Sequence, residues 1–338
     1  MLAVVVNRES NKPIFKEVQI PKIKDDEILI KVKKAGICGT DIPIFDGIRQ
    51  VKNNHIPGHE FSGIVAKIGK DVKKVKLKDR VTAGLVINCG KCKFCKKELD
   101  SLCEKLEEIG ISKNGAFAEY VKVPERIIHK LPKNMTFEEG ASIDPLASAY
   151  RIVKKADIKK SDTVGIFGSG SIGLYAVQLA KLSGAKKIIN IGTKNDIFKL
   201  KLAKELGADE VLINDKNISE KIKKTNNNNY LDVAIEATGN PDVFQTCIDS
   251  VEKSGRISLG GIFHRKTEFY IEKIVSRELE IKGSFCYNNE EFKNAIELVK
   301  DKKINTDKLI SHRFKLEEIN KGIELIKQKK AIKIMLSI

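Results

Sequence analysis

Thr163-Val164-Gly165-Ile166-Phe167 runs without a break into Gly168-Ser169-Gly170-Ser171-Ile172-Gly173. The first five residues read as a buried strand, and the glycine pattern opens a helical segment from Ser171 to Ser183. Such a pattern is weak evidence alone, but between a strand and a helix it is specific. Gly168, Gly170 and Gly173 allow a tight turn and a close approach of the backbone to a pyrophosphate. The helix N-terminus, with Ile172 in its first turn, offers free N–H groups and a favourable dipole to that anion. The stretch therefore predicts a dinucleotide site. The alternation continues downstream through Ile188-Ile189-Asn190-Ile191, a helix from Asp196 to Leu206, Val211-Leu212-Ile213, Val233-Ala234-Ile235 and Arg256-Ile257-Ser258-Leu259. Short apolar strands alternating with helices predict an α/β fold with a doubly wound parallel sheet. A helix from Asn289 to Lys300 and a short strand-helix tail follow.

Residues 1 to about 145 carry a different pattern, β structure with loops. Glu27-Ile28-Leu29-Ile30-Lys31-Val32, Gly63-Ile64-Val65-Ala66-Lys67-Ile68 and Ala118-Glu119-Tyr120-Val121 read as strands separated by Gly-, Pro- and Asp-rich turns. Four cysteines crowd together in this region: Cys89, Cys92, Cys95 and Cys103. Two-residue gaps let a tight loop turn its thiolates inward, and the longer gap lets the fourth close a tetrahedron around one zinc ion. A disulfide framework is the alternative, and a long chain without a secretory signal argues against it. A closed four-thiolate site has no open position, so its role is structural.

A chain of 338 residues is long enough for two domains. The run Met1 to Val6 is too short for a signal peptide, and no stretch of about eighteen apolar residues suggests a membrane span. Seven cysteines, an odd number, read as a reducing cytoplasmic setting. The formal charge of +17 invites a reading as a basic nucleic-acid-binding protein. Against it, the excess is lysine scattered over all regions, only nine of the 62 basic residues are Arg, and no basic stripe interleaves with aromatics. A solvated basic surface, with no nucleic-acid partner, is the expectation.

The end of the second strand of the dinucleotide domain sets NAD against NADP, because an acidic residue there binds the ribose hydroxyls. This chain reads Ile191-Gly192-Thr193-Lys194-Asn195-Asp196. Gly192 gives room, and Thr193, Lys194 and Lys199 are candidates for a 2′-phosphate, which favours NADP. Asp196 serves as the acid instead if the turn is shifted.

A last constellation is Gly36-Ile37-Cys38-Gly39-Thr40-Asp41 with Gly58-His59-Glu60. Cys and His are preferred zinc ligands, a carboxylate completes the shell, and about three protein ligands leave a position for water or substrate. With these motifs together, the chain resembles the zinc-dependent medium-chain alcohol dehydrogenases, and most of all their sorbitol, threonine and sugar-alcohol-phosphate branch. The resemblance covers nearly the whole chain, including Glu236-Ala237-Thr238-Gly239 and Glu280-Ile281-Lys282-Gly283-Ser284-Phe285.

The resemblance implies a GroES-like β domain over 1–146, a Rossmann domain over 147–285, and a return to the first domain over 286–338, with the active site in the cleft. It implies one catalytic and one structural zinc. Cys38 and His59 would be ligands of the catalytic ion, and Glu60 would be a ligand or exchange with water. Asp144 would fill a fourth position, directly or through water, where liver-type enzymes carry Cys. Asp41 would orient His59, Thr40 would pass a proton from the alcohol towards solvent, and Thr238 and Gly239 would lie against the cofactor. His55 reads as a loop residue, and His264-Arg265-Lys266 as a surface loop. The implied reaction is hydride transfer between a secondary alcohol or polyol and NAD(P). His59-Glu60-Phe61-Ser62-Gly63 and Asp41-Ile42-Pro43-Ile44-Phe45 look closest to the sugar-alcohol-phosphate members. L-threonine 3-dehydrogenase is the runner-up. A homotetramer or homodimer is the implied assembly.

Overall fold

The computed structural model describes residues 1–7, 12–263, 266 and 268–338. Their contacts divide the chain into one unit of Met1–Ala147 with Tyr287–Ile338 and another of Ser148–Cys286.

The first unit is built on a sheet ordered Ile310–Lys315, Lys333–Ser337, Glu27–Ile37, Glu60–Ile68, Arg80–Ala83 and Ile128–Lys130, with Tyr120–Pro124 also paired to Glu27–Ile37. Ile28, Ile30 and Val32 alternate along Glu27–Ile37 and are almost wholly buried, each contributing about 1.5–3 kcal/mol by leaving water. This strand runs five residues past its expected end at Val32, to Ile37. The extra length is where two neighbours attach. Gly36 pairs with Glu60 on one side, and Ile37 pairs with Ile334 of the C-terminal strand on the other. Three strand ends distant in sequence therefore meet at one end of the sheet.

The second unit is a parallel six-stranded sheet ordered Glu210–Ile213, Lys187–Gly192, Thr163–Phe167, Leu231–Glu236, Val251–Leu259 and Glu280–Gly283. Thr163–Phe167 is buried at every residue, as a central strand covered on both faces must be. Chain order reverses between Thr163–Phe167 and Leu231–Glu236. Ligands of doubly wound sheets bind outside the carboxyl ends of strands at such a switch point. The helices Ser171–Leu182 and Ile197–Leu206 occupy the segments read as helical, the second preceded by a 3₁₀ turn over Lys194–Asp196.

Candidate active site and cofactor loop

The register of the first unit's sheet assembles a buried cluster. Cys38 follows the end of Glu27–Ile37, while His59 and Glu60 stand at the start of Glu60–Ile68. Cys38, His59 and Glu60 each present one ligand atom, and these atoms lie within 4.8 Å of one another. Gly36 makes room for this: a Cβ there would stand 2.2 Å from Glu60 Oε2. Asp41 opens a short helix and is fully buried, its Oδ2 accepting the Cys38 N–H at 2.9 Å. Its Oδ1 lies 3.8 Å from His59 Nδ1, facing the ring without a hydrogen bond.

The groups in this cluster act on one another's protonation. Burial alone would lower the His59 pKa, yet Cys38, Asp41 and Asp144 overcome it and hold the imidazole well above its usual range. Asp144 is pushed up to about 6 by burial, with repulsion from Glu60 adding to it. Asp41 is raised by burial too, against the pull of His59. A half-buried thiol is thus pressed against an imidazole and carboxylates that are out of water. Thr40 Oγ1, Asp41 Oδ1 and His59 Nδ1 are buried without a hydrogen-bond partner. Buried polar atoms are normally paired, and this donor set is one that zinc accepts.

Two residues that the sequence reading passed over hold the cluster. Lys333 Nζ, in the C-terminal strand, reaches both Glu60 oxygens at 2.6 Å and the Ile37 carbonyl at 3.3 Å. Both side chains are within 2% of complete burial. Lys333 lies in the apolar run Ala331-Ile332-Lys333-Ile334-Met335-Leu336. A lone cation in such a run demands a buried anion, and that signal was available. Tyr287 is the second: its hydroxyl donates to Asp144 Oδ2 and accepts the Leu85 N–H at 2.8 Å. Asp144 bears electrostatically on His59 and Glu60 but is not among the ligand atoms that lie within 4.8 Å of one another, and Tyr287 engages one of its oxygens. His55 is a buried, satisfied histidine whose Nε2 meets the Gly110 carbonyl at 3.0 Å. His264 and Arg265 lie outside the described residues.

The four sulfurs of Cys89, Cys92, Cys95 and Cys103 also lie within 4.8 Å of one another. Cys92–Cys95 and Cys89–Cys95 are 3.5 and 3.9 Å apart, far beyond the roughly 2.05 Å of a disulfide. Backbone N–H groups of Cys95 and Glu104 help bring the Cys92 thiol down to about 6. Burial and its sulfur neighbours push Cys95 up to about 12. Four sulfurs this close, with the spacing of the motif, form a donor set that one zinc ion accepts.

In the second unit the glycine loop matches its expected mechanics. Gly168 sits at φ +115, a Cβ on Gly173 would stand 2.0 Å from the Gly168 carbonyl, and Gly170 faces open space at the start of its helix. Asn190 clasps the loop from the next strand. Its Nδ2 donates to the Ile166 and Gly168 carbonyls at 3.0 Å, and its Oδ1 accepts the Ser169 hydroxyl at 2.9 Å. Across the switch point Glu236 accepts the N–H groups of Thr238 and Gly239 at 2.7 and 3.0 Å. It also accepts the Thr238 hydroxyl.

At the end of the second strand Asp196 is committed locally. Its carboxylate accepts the Thr193 N–H at 3.0 Å, the Thr193 hydroxyl at 2.6 Å and the Lys199 ammonium at 2.9 Å. Lys199, expected against a 2′-phosphate, is buried on Asp196, whereas Lys194 is exposed. Gly192 packs closely rather than leaving room, since a Cβ there would meet Ser169 Oγ at 2.6 Å.

Comparison with known proteins agrees with this geometry. Residues 24–133 match the alcohol dehydrogenase GroES-like domain, and residues 171–301 match the zinc-binding dehydrogenase domain. D-arabitol-phosphate dehydrogenase of Enterococcus avium is 35% identical over 329 residues, covering 95% of this chain and 93% of that protein. Sorbitol dehydrogenase of Halalkalibacterium halodurans is 33% identical over 314 residues, with 92% and 91% covered. The structure of galactitol-1-phosphate dehydrogenase from Escherichia coli superposes with a TM-score of 0.92 at 28% identity, over 100% of both chains. The chain belongs to the zinc-dependent medium-chain alcohol dehydrogenase family. It is an NAD(P)-dependent oxidoreductase that combines a GroES-like domain with a Rossmann domain. Among the described residues no helix is long and apolar enough to cross a membrane.

Proposed function

We propose that this chain oxidises a secondary hydroxyl of a polyol or sugar-alcohol phosphate, passing the hydride to NADP, and runs the reverse reduction at the same site. The trio of half-buried Cys38 with buried His59 and Glu60, beside a Thr40 hydroxyl that lacks a partner, is the observation that supports the reading. The relatives acting on arabitol phosphate and sorbitol point to the substrate class. The first unit supplies the catalytic residues and the second the cofactor site.

In this reading Cys38, His59 and Glu60 hold zinc, with Asp144 beside them. Held there, zinc would supply the Lewis acidity that makes a substrate hydroxyl easier to deprotonate near neutral pH. Thr40 Oγ1 relays the proton, accepting it from the substrate hydroxyl as its own proton leaves towards solvent. Asp41 fixes the turn through the Cys38 N–H and faces the His59 ring, and Lys333 fixes Glu60. A nicotinamide bound at the glycine loop would supply the acceptor for the carbinol hydrogen, which leaves as hydride. The backbone of Gly168, Gly170, Ile172 and Gly173 receives the pyrophosphate, with Thr238 and Gly239 beside it. A cytoplasmic homo-oligomer completes the proposal, and the odd count of seven cysteines accords with that compartment. The test is a panel of polyols, sugar-alcohol phosphates, threonine and simple secondary alcohols, assayed with both cofactors at the reduced-nicotinamide absorbance band. Turnover of polyols or their phosphates above all others is expected, and a preference for threonine would overturn the substrate assignment.

The preference for NADP rests on Lys194. With Asp196 engaged by Thr193 and Lys199, the exposed group at the end of the second strand is cationic. A charge-assisted contact to phosphate contributes about 1.5–3 kcal/mol, roughly ten- to a hundredfold in affinity. Wild type should favour NADP by about that factor, and Lys194→Asp should reverse the preference by removing an attraction and adding a repulsion. Comparable kcat/KM for the two cofactors, unmoved by Lys194→Asp, would refute the assignment.

The four-cysteine site holds a second zinc in this reading, and binding there contributes to folding. Cys95→Ser should lower Tm and release that zinc, because Cys95 contacts both Cys89 and Cys92. A Cys95→Ser protein with unchanged Tm and full activity would remove the structural role.

A further inference from the structure

The geometry points to Tyr287 as a positioning residue for the metal centre, one that holds the Asp144 carboxylate and thereby completes the catalytic ion's surroundings. This rests on the proposed zinc site at Cys38, His59 and Glu60. The phenol is pinned from one side by the Leu85 N–H at 2.8 Å and donates on the other to Asp144 Oδ2. A hydroxyl with both its donor and an acceptor site used has one orientation. The Leu85 amide, part of the backbone, cannot rotate away. One Asp144 oxygen is therefore fixed, and with it the carboxylate whose charge bears on His59 and Glu60. Tyr287 is 2% exposed and Asp144 5%, so water does not compete freely for these contacts. The ring packs on Phe292 at a centroid distance of 5.3 Å. Tyr287→Phe keeps that packing and deletes only the hydroxyl.

Partners that orient metal ligands typically contribute 10–100-fold to metal affinity or activity. Zinc-loaded wild type, Tyr287→Phe, Asp144→Asn, the double variant and Cys38→Ser are to be compared for zinc per chain, zinc release to a competing chelator, kcat and KM. Tyr287→Phe should weaken zinc retention at the catalytic site by about 10–100-fold, with the four-cysteine zinc retained. It should lower kcat with little change in the KM for NADP, at a near wild-type Tm. Asp144→Asn should do the same, and the double variant should be no worse than either single, as expected of residues acting as one unit. If Cys38→Ser keeps as much zinc as wild type, the metal-site reading itself fails. If Cys38→Ser loses one zinc while Tyr287→Phe keeps wild-type zinc retention and kcat, the role of Tyr287 is overturned, whatever happens to its Tm.

Discussion

Cys38→Ser should lower kcat by about a thousandfold or more while leaving a folded protein that binds NADP normally. Serine is nearly isosteric with cysteine, so packing at the end of Glu27–Ile37 survives. Its hydroxyl stays protonated at neutral pH and is a poor zinc ligand beside a thiolate. The Lewis acid contributes several kcal/mol to the transition state, and about 4 kcal/mol is a factor of 10³ in rate. Cofactor binding should persist because Gly168, Gly170 and Gly173 belong to the other unit, Ser148–Cys286. Steady-state kinetics and a fluorescence titration with NADPH separate the two effects. A Cys38→Ser enzyme with more than a tenth of wild-type kcat would remove Cys38 from the chemistry.

Lys333→Met should destabilise the zinc-free protein by about 3–5 kcal/mol, the usual cost of leaving one partner of a buried ion pair uncompensated. Here the abandoned partner is Glu60, 1% exposed and bonded through both oxygens to the ammonium. Zinc should restore part of the loss, because it offers Glu60 another cation. Adding Glu60→Gln should restore part of it without metal, since the charge is gone. Urea unfolding of the four combinations, each with chelator and with zinc, measures this. A Lys333→Met protein within 1 kcal/mol of wild type under chelation would mean that the pair does not hold the site.

Sequence reading reached the parts of this protein that are local in the chain. The glycine loop was legible because its constraints act within six residues, from the turn at Gly168 to the close approach at Gly173. Cys38, His59 and Glu60 were legible from the ligand chemistry of two short motifs and the family resemblance they carry, and the sheet register brings those motifs side by side. The cysteine cluster was legible from spacing alone. What escaped is long-range. Lys333 meets Glu60 across 273 residues and Tyr287 meets Asp144 across 143; the apolar run around Lys333 signals that a buried anion exists, but over such distances no periodicity names the partner. Lys199 went astray for a different reason. The sequence shows it only as a cation near the phosphate site, but its position three residues after Asp196 points it back onto that carboxylate. The same interaction strengthens the case for Lys194, because it takes Asp196 out of contention.

The central claim is that zinc sits between Cys38, His59 and Glu60 in the active enzyme. Anomalous diffraction at the zinc edge, from crystals of protein with measured activity, tests it directly. The account predicts two peaks per chain, one bounded by Cys38 Sγ, His59 and Glu60 and one at the centre of Cys89, Cys92, Cys95 and Cys103. An active preparation with no peak at Cys38 and His59 would contradict it.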